Sequence, residues 1–353
     1  MDSPNITYSL IRECNSERPR SDTASIIEVP GGDLLCAYHS YSAGPDGGGD
    51  FGAAKIYTKR SVDGGTSWGN EQLVVDIDQG DLNVMCPSLT IVSGRILLLY
   101  LVNHARTISS TLLRWSDDGG KKFSDPATIW NRIEEHRFCG YDGIVHMGDR
   151  LLVPFQTSKE VWTPNEQITI GTLRSEDAGE NWSEQSGTIY LPMRGAMEPS
   201  IARLTDGYLV MSMRSQLGSV FVSSSEDDGA HWSLPSTTGL KSPESCTCLR
   251  RIPDSDSLVL FWNDSDYIPD HHHYGMRTPL SVARSDDRGK TWIRLFAIEQ
   301  RPLFEYTNLS CTFTSDGNAI LTYLEGDGTE EDGFNRSCLR LKSAIIGVES
   351  LRS

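Results

Sequence analysis

The chain has 353 residues, 38% hydrophobic and 23% charged, with 32 glycines, a composition that supports a sizeable core and does not suit a disordered segment. Its 32 Lys and Arg against 48 Asp and Glu leave a formal net charge of −16, which repels phosphate backbones and anionic lipid and argues against nucleic-acid and membrane partners. No stretch approaches the roughly 18 apolar residues of a membrane span, and Met1-Asp2-Ser3-Pro4-Asn5 lacks the basic flank and apolar run of a signal peptide. The expectation is therefore a cytoplasmic protein, or a secreted or periplasmic one if such a peptide has been removed.

Taken in chain order, a strand around Thr7 to Ile11 is followed by turn signals and short apolar runs typical of buried strands: Asp33 to Tyr38 after Gly31-Gly32, Arg95 to Tyr100, and Arg150 to Pro154 after Gly148-Asp149. Tyr208 to Ser212 follows Asp206-Gly207, and Leu258 to Trp262 and Ala319 to Tyr323 complete the set. Interleaved with them is an octapeptide of the form Ser-x-Asp-x-Gly-x-x-aromatic. It starts at Ser61, Ser116, Ser175, Ser225 and Ser285, giving steps of 55, 59, 50 and 60 residues. In such a turn the Asp accepts backbone N–H groups, the Gly permits positive φ, and the aromatic anchors the hairpin from below. Asp63, Asp118, Asp177, Asp227 and Asp287 are thus fold devices and not chemistry.

One turn per four-stranded unit of about 40–60 residues predicts an all-β, six-bladed β-propeller with Asp-box turns. It fills residues 1–353 as a single domain, with Ser337 to Leu341 sharing a blade with the N-terminal strand. The eight cysteines (Cys14, Cys36, Cys86, Cys139, Cys246, Cys248, Cys311 and Cys338) are scattered and are expected to be mostly buried, reduced thiols. His271-His272-His273 reads as a solvated loop, since three adjacent His do not suit one tetrahedral Zn²⁺. His104 and His146 read as core histidines or substrate contacts. No metal site, nucleotide loop or serine elbow is evident, so no cofactor is expected.

The run from Glu198-Pro199-Ser200 through Met213-Arg214 resembles the sialidase segment in which a buried Glu precedes a strand ending in a substrate-binding Arg. Asn83 to Ser88, Arg251-Ile252-Pro253 and Arg277-Thr278-Pro279-Leu280 are similar to further segments of bacterial sialidase-like proteins. The resemblance implies an exo-glycoside hydrolase that cleaves a terminal, acidic sugar from a carbohydrate or glycoconjugate. Its mechanism would be retaining, with a Tyr nucleophile, because an anionic nucleophile faces the substrate's own charge.

By matching position, Glu198 is the Tyr-activating base and Tyr306 the nucleophile. Asp50 is the acid/base, with Asp46 its rival. Arg214 and Arg277 bind the carboxylate, and Arg251 contacts substrate or supports the site from behind. Sialidases open the first blade with Arg-Ile-Pro, but Arg18-Pro19-Arg20-Ser21-Asp22 stands here, aligning Asp22 where an Arg belongs and leaving Arg20 as the alternative. Asp22, Asp50, Asp142 and Glu198 together in the pocket would instead support a carboxylate pair acting on a different sugar, by hydrolysis or elimination. A glycan-binding propeller without turnover is the third reading, and it predicts that Glu198 and Tyr306 do not meet. The sequence carries no signal for oligomeric state.

Overall fold

The computed structural model describes residues 4–45, 48–139, 143–327 and 338–353. Within them helix is limited to one turn at His272–Tyr274 and the short Glu349–Arg352 segment; nearly everything else that is regular is strand.

Three sheets are simple four-stranded antiparallel meanders. The first runs Asn83–Val92, Arg95–Ala105, Ile108–Ser116, Ala127–Ile133, and the second Met197–Arg203, Leu209–Arg214, Ser219–Ser225, Ser236–Lys241. The third is Cys248–Arg251, Leu258–Asn263, Leu280–Ser285, Ile293–Glu299. A five-stranded sheet places His136–Cys139 and Val145–Met147 beside Arg150–Ser158, followed by Thr169–Ser175 and Ser183–Glu184.

The remaining eight strands form two runs joined by one parallel pairing, Arg20 with Leu339. One run is Arg20–Glu28, Leu34–Tyr41, Ala54–Ser61, Gln72–Val75; the other is Phe304–Phe313, Asn318–Asp327, Leu339–Gly347 and the N-terminal Ile6–Arg12. The N-terminal strand pairs with the C-terminal one from Ile6↔Ile346 to Leu10↔Lys342, so both chain ends share a sheet. A Cys14–Cys338 disulfide ties the same two segments across 324 residues of sequence. This corrects the expectation of reduced thiols for those two positions; the other six cysteines are free and buried.

The sheets follow one another around a closed circuit. Arg20–Glu28 packs against both Asn83–Val92 and Phe304–Phe313, Met197–Arg203 against Arg150–Ser158 and Cys248–Arg251, and the last of these against Phe304–Phe313. Period-two alternation explains how: successive side chains of a strand point to opposite faces, so one strand serves two interfaces. Leu98 and Tyr100 pack with Leu35, Ala37 and Ile56 of the preceding sheet, while Leu97 and Leu99 pack with Leu151, Val153 and Phe155 of the next.

The five octapeptide turns repeat one hydrogen-bond pattern. Ser61 Oγ donates to Asp63 (2.7 Å) and accepts from Gly65 N (2.8 Å), while Ser67 N donates to Asp63 (2.9 Å). Ser225, Asp227, Gly229 and His231 make the equivalent bonds at 2.9, 3.0 and 2.9 Å. Their glycines do more than adopt positive φ. A Cβ on Gly120 would lie 2.4 Å from Leu35 Cδ2, and one on Gly229 2.9 Å from Leu152 Cδ2, each on the preceding sheet. Each of these turns therefore locks its own hairpin and seats it on a neighbour. In the eight-stranded sheet, Leu34 pairs with Ser61 at the turn end, while Arg20 pairs with Tyr41 and Tyr41 with Ala54 at the other. That other end carries the site.

Candidate functional site

At the end of the ring away from those turns lies a polar cavity of about 1350 Å³. Its floor is built by irregularities in the first strand of several sheets. The pairing register shifts between Asp22 and Ser25, Met85 and Ser88, Met197 and Ser200, and Thr307 and Ser310. At each shift a non-glycine residue adopts positive φ: Thr23 (40°), Cys86 (52°), Glu198 (44°) and Asn308 (56°). All four line the cavity. A bulge inserts a residue and re-aims side chains, and sparsely populated backbone conformations of this kind concentrate at binding sites.

The serine two positions after the bulge residue is buried in every case (Ser25, Ser88, Ser200, Ser310). Ser25 and Ser200 use their hydroxyls to accept backbone N–H groups of Leu89 and Leu249 on the next sheet, both at 2.9 Å. The floor is thereby stitched from sheet to sheet.

Both members of the uncertain first-strand pair, Arg20 and Asp22, reach the cavity, and they bind each other. Arg20 Nε donates to Asp22 Oδ2 (2.8 Å), its Nη2 donates to the same oxygen, and its Nη1 reaches Asp50 Oδ1 at 2.6 Å. Asp22 is fully buried and also accepts from Asn308 Nδ2 (2.6 Å) and Thr23 N (2.7 Å). Burial alone would raise its pKa, but the Arg20 guanidinium, His39 and the Asn308 amide outweigh it and hold the carboxyl below its ordinary value. His39, beneath them, is pushed down to about 4 by burial. The backbone N–H of Cys86 points at its Nδ1 (3.4 Å), which fits a neutral ring protonated on Nε2.

A second network faces the first. Arg214 Nη1 meets the two Glu198 oxygens at 3.1 and 3.0 Å, and its Nη2 meets Glu244 at 3.1 Å. Glu244 also pairs with Arg194 (2.8 Å), which in turn holds Glu166 (2.8 Å), and with His273 Nδ1 at 3.6 Å. Burial would raise the Glu244 pKa; Arg214, His273 and Arg194 reverse that and lower it strongly. The histidine run is thus part of the cavity wall rather than a solvated loop, and burial presses the His273 pKa well below its ordinary value.

Arg277 also lines the cavity and differs from the other three arginines there. It is 5% exposed and donates through Nη2 to the Glu244 backbone carbonyl (3.0 Å); its Nε has no partner, and it has no carboxylate partner among the described residues.

Tyr306 does not reach the cavity. The shift between Thr307 and Ser310 turns Thr307 and Asn308 inward, while Tyr306 lies in the core against Tyr323, with ring centroids 5.8 Å apart, and Phe304. Its hydroxyl accepts from Arg301 Nε (3.4 Å), no hydrogen bond joins it to Glu198 among the described residues, and burial pushes its pKa up to about 12. Arg251 also stays away, spending its guanidinium on the Ser255 carbonyl (2.8 Å) in the turn that follows its strand. His104 is held by Asp81 (2.5 Å) and Ser110 (2.7 Å), and His146 by Thr90 (2.5 Å); neither lines the cavity. Asp46 and Asp142 lie outside the described residues.

Sequence reasoning missed Asn308, Glu244, Glu166, Arg194 and His39. A signal for the first existed: aligning the chain on the serine two positions after each bulge lines up Thr23, Cys86, Glu198 and Asn308. Nothing local marks the others.

A closed circuit of twisted antiparallel sheets, carrying a charged cavity where the innermost strands begin, defines a β-propeller of the sialidase type. Residues 32–320 match the BNR repeat-like domain, and the chain belongs to that family. The intramolecular trans-sialidase from Ruminococcus gnavus, solved with oseltamivir carboxylate, superposes with a TM-score of 0.74 at 14% identity, over 98% of each chain. The leech intramolecular trans-sialidase, solved with 2,7-anhydro-Neu5Ac, gives 0.73 at 13% identity, over 99% of this chain and 71% of that one. A protein of unknown function from Dyadobacter fermentans gives 0.72 at 15% identity, over 98% and 100%. At these identities the likeness establishes the fold. No curated protein matches the chain in sequence.

Proposed function

We propose that this chain is a glycoside hydrolase on a six-bladed Asp-box propeller, acting through cavity carboxylates on a sugar that carries at most one negative charge. The observation that carries this reading is the saturation of the cavity's arginines. Arg20, Arg194 and Arg214 each hold two carboxylates, and Arg277 holds none among the described residues. An ion pair already made must be broken before its guanidinium can grip a substrate carboxylate, and breaking a buried pair is costly. One arginine remains for one anionic group, and the other polar atoms suit hydroxyls. The described wall carries four Arg against six carboxylates, which further disfavours a highly anionic ligand.

For the chemistry, Asp50 and Glu198 are the candidates. Asp50 has its side chain 40% exposed and its orientation set by Arg20, so it is placed to exchange a proton with the glycosidic oxygen. Glu198 is 16% exposed and paired with Arg214, suited to stabilising positive charge at the anomeric carbon or activating water. The tyrosine route is not proposed, because Asn308 occupies the cavity-facing place on the strand where Tyr306 was expected. The Cys14–Cys338 bond favours an oxidising compartment over the cytoplasm.

The test is hydrolysis of a panel of 4-methylumbelliferyl glycosides spanning neutral hexoses, N-acetylhexosamines, uronic acids and sialic acid. Turnover of a neutral or uronic glycoside, abolished in Asp50→Asn and Glu198→Gln, is the expected result. Turnover that survives both substitutions would overturn the carboxylate mechanism, and no turnover of any member of the panel would overturn the hydrolase.

A further inference from the structure

Immediately beside Asp50 the polar wall gives way to an aromatic one. Phe51, Trp162 and His136 all line the cavity; Phe51 meets Trp162 edge-on at 5.0 Å between centroids and His136 at 5.6 Å. The Arg106 guanidinium lies 5.3 Å from the Phe51 ring and 5.2 Å from the Trp162 ring.

Trp162 is the unusual member. An indole is among the costliest side chains to leave in water, yet this one is 47% exposed, and its backbone is held at φ 56°. The Trp162 backbone N–H donates to Glu166 Oε2 (3.1 Å), the same oxygen that accepts from Arg194 Nε. The charged network of the cavity wall thus reaches the backbone that presents the indole. A merely structural tryptophan would be buried; this one lines the cavity and packs on Phe51, the residue next to Asp50.

We propose that Trp162, backed by Phe51 and Arg106, forms the subsite for the leaving-group sugar, so that the substrate is an oligosaccharide or glycoconjugate whose second ring stacks on the indole. The inference rests on the proposed role of Asp50. The group that exchanges a proton with the glycosidic oxygen must sit next to that oxygen, so the residue adjoining it in sequence and the aromatic packed on that residue border the departing sugar. The C–H face of a pyranose is apolar, and a flat indole is its natural complement. The polar networks around Glu198 and Arg277 are left to hold the first ring by its hydroxyls.

The test compares a disaccharide with the methyl glycoside of its non-reducing sugar, using lactose with methyl β-galactoside, cellobiose with methyl β-glucoside, and α2,3-sialylgalactose with methyl α-sialoside. Binding is measured by saturation-transfer NMR competition on wild type, Trp162→Ala and Trp162→Phe, with near-UV circular dichroism to check the fold. The expected result is that a pair binds wild type with the disaccharide preferred by about fivefold to tenfold. Trp162→Ala abolishes the preference while leaving the methyl glycoside unchanged, and Trp162→Phe keeps part of it. Equal weakening of both partners, or no change in either, would overturn the subsite and leave the hydrolase reading standing. Failure of every probe to bind wild type would overturn the sugar reading and the subsite with it.

Discussion

The two ends of this ring solve opposite problems with the same strands. At the turn end, one Ser-Asp-Gly hydrogen-bond pattern recurs from Ser61 to Trp292, its carboxylates lie at the surface, and its glycines seat each hairpin on the preceding sheet. At the cavity end the strands depart from regular pairing, backbone strain is spent at Thr23, Cys86, Glu198 and Asn308, and every network is different. Redundant, local and neutral to ligand at one end, the structure is singular, long-range and charged at the other. A propeller can vary its chemistry because the octapeptide turns that lock its hairpins lie at the end away from the cavity.

The sharpest way to break that contrast is to remove one cavity charge. Arg214→Ala leaves Glu198 and Glu244 facing each other without their shared cation, and is expected to destabilise by about 3 kcal/mol or more, read from the urea midpoint. Gly120→Ala at the turn end comes next. The added Cβ meets buried Leu35 at a backbone φ of 84°, at an expected cost of about 2 kcal/mol.

Acid separates the ends without mutation. Burial depresses both His39 and His136 to about 4, so between an unfolded-state value of about 6.5 and pH 4 the unfolded chain binds more protons than the folded one. Stability at the cavity end therefore declines as pH falls through that window. Hydrogen bonds from their own turns hold the Asp63 and Asp227 carboxyls at about 2, so the turns stay ionised and intact. Hydrogen exchange at pH 7 and pH 5 is expected to show protection lost first around Thr23 and Cys86, with the octapeptide turns unaffected. The smallest effect is expected from Asp63→Ala, which breaks one exposed copy of a repeated turn and lowers Tm only slightly.

What could be read from sequence follows the same division. The turns were legible because a local pattern of Ser, Asp, Gly and aromatic is needed wherever the bonds form, and the buried strands because each is a short continuous apolar run set off by a turn signal. The pairing of Ile6–Arg12 with Leu339–Gly347 followed from the need to pair both chain ends. Glu198, Arg214, Arg277, Asp50, Arg20 and Asp22 became candidates through the resemblance to sialidase segments, and all line the cavity.

Tyr306 was misplaced because a bulge is invisible to strand periodicity: one inserted residue exchanges inward and outward faces, and Asn308 takes the inward place. Arg251 fell outside because it closes its strand at the turn, where the Ser255 carbonyl takes it. Glu244, Glu166 and Arg194 come from loops of different sheets, and only the closed ring brings them together. Cys14 and Cys338 stand at opposite ends of the sequence, so their bond had no local signature.

The account turns on Asn308, not Tyr306, being the residue that faces the substrate. The most direct measurement is kcat/KM on the best 4-methylumbelliferyl glycoside for wild type, Tyr306→Phe and Asn308→Ala. The account predicts a value within about twofold of wild type for Tyr306→Phe and a loss of about tenfold or more for Asn308→Ala, which frees Asp22 from the amide that shares its charge. Abolition of turnover by Tyr306→Phe, with Asn308→Ala unaffected, would contradict it.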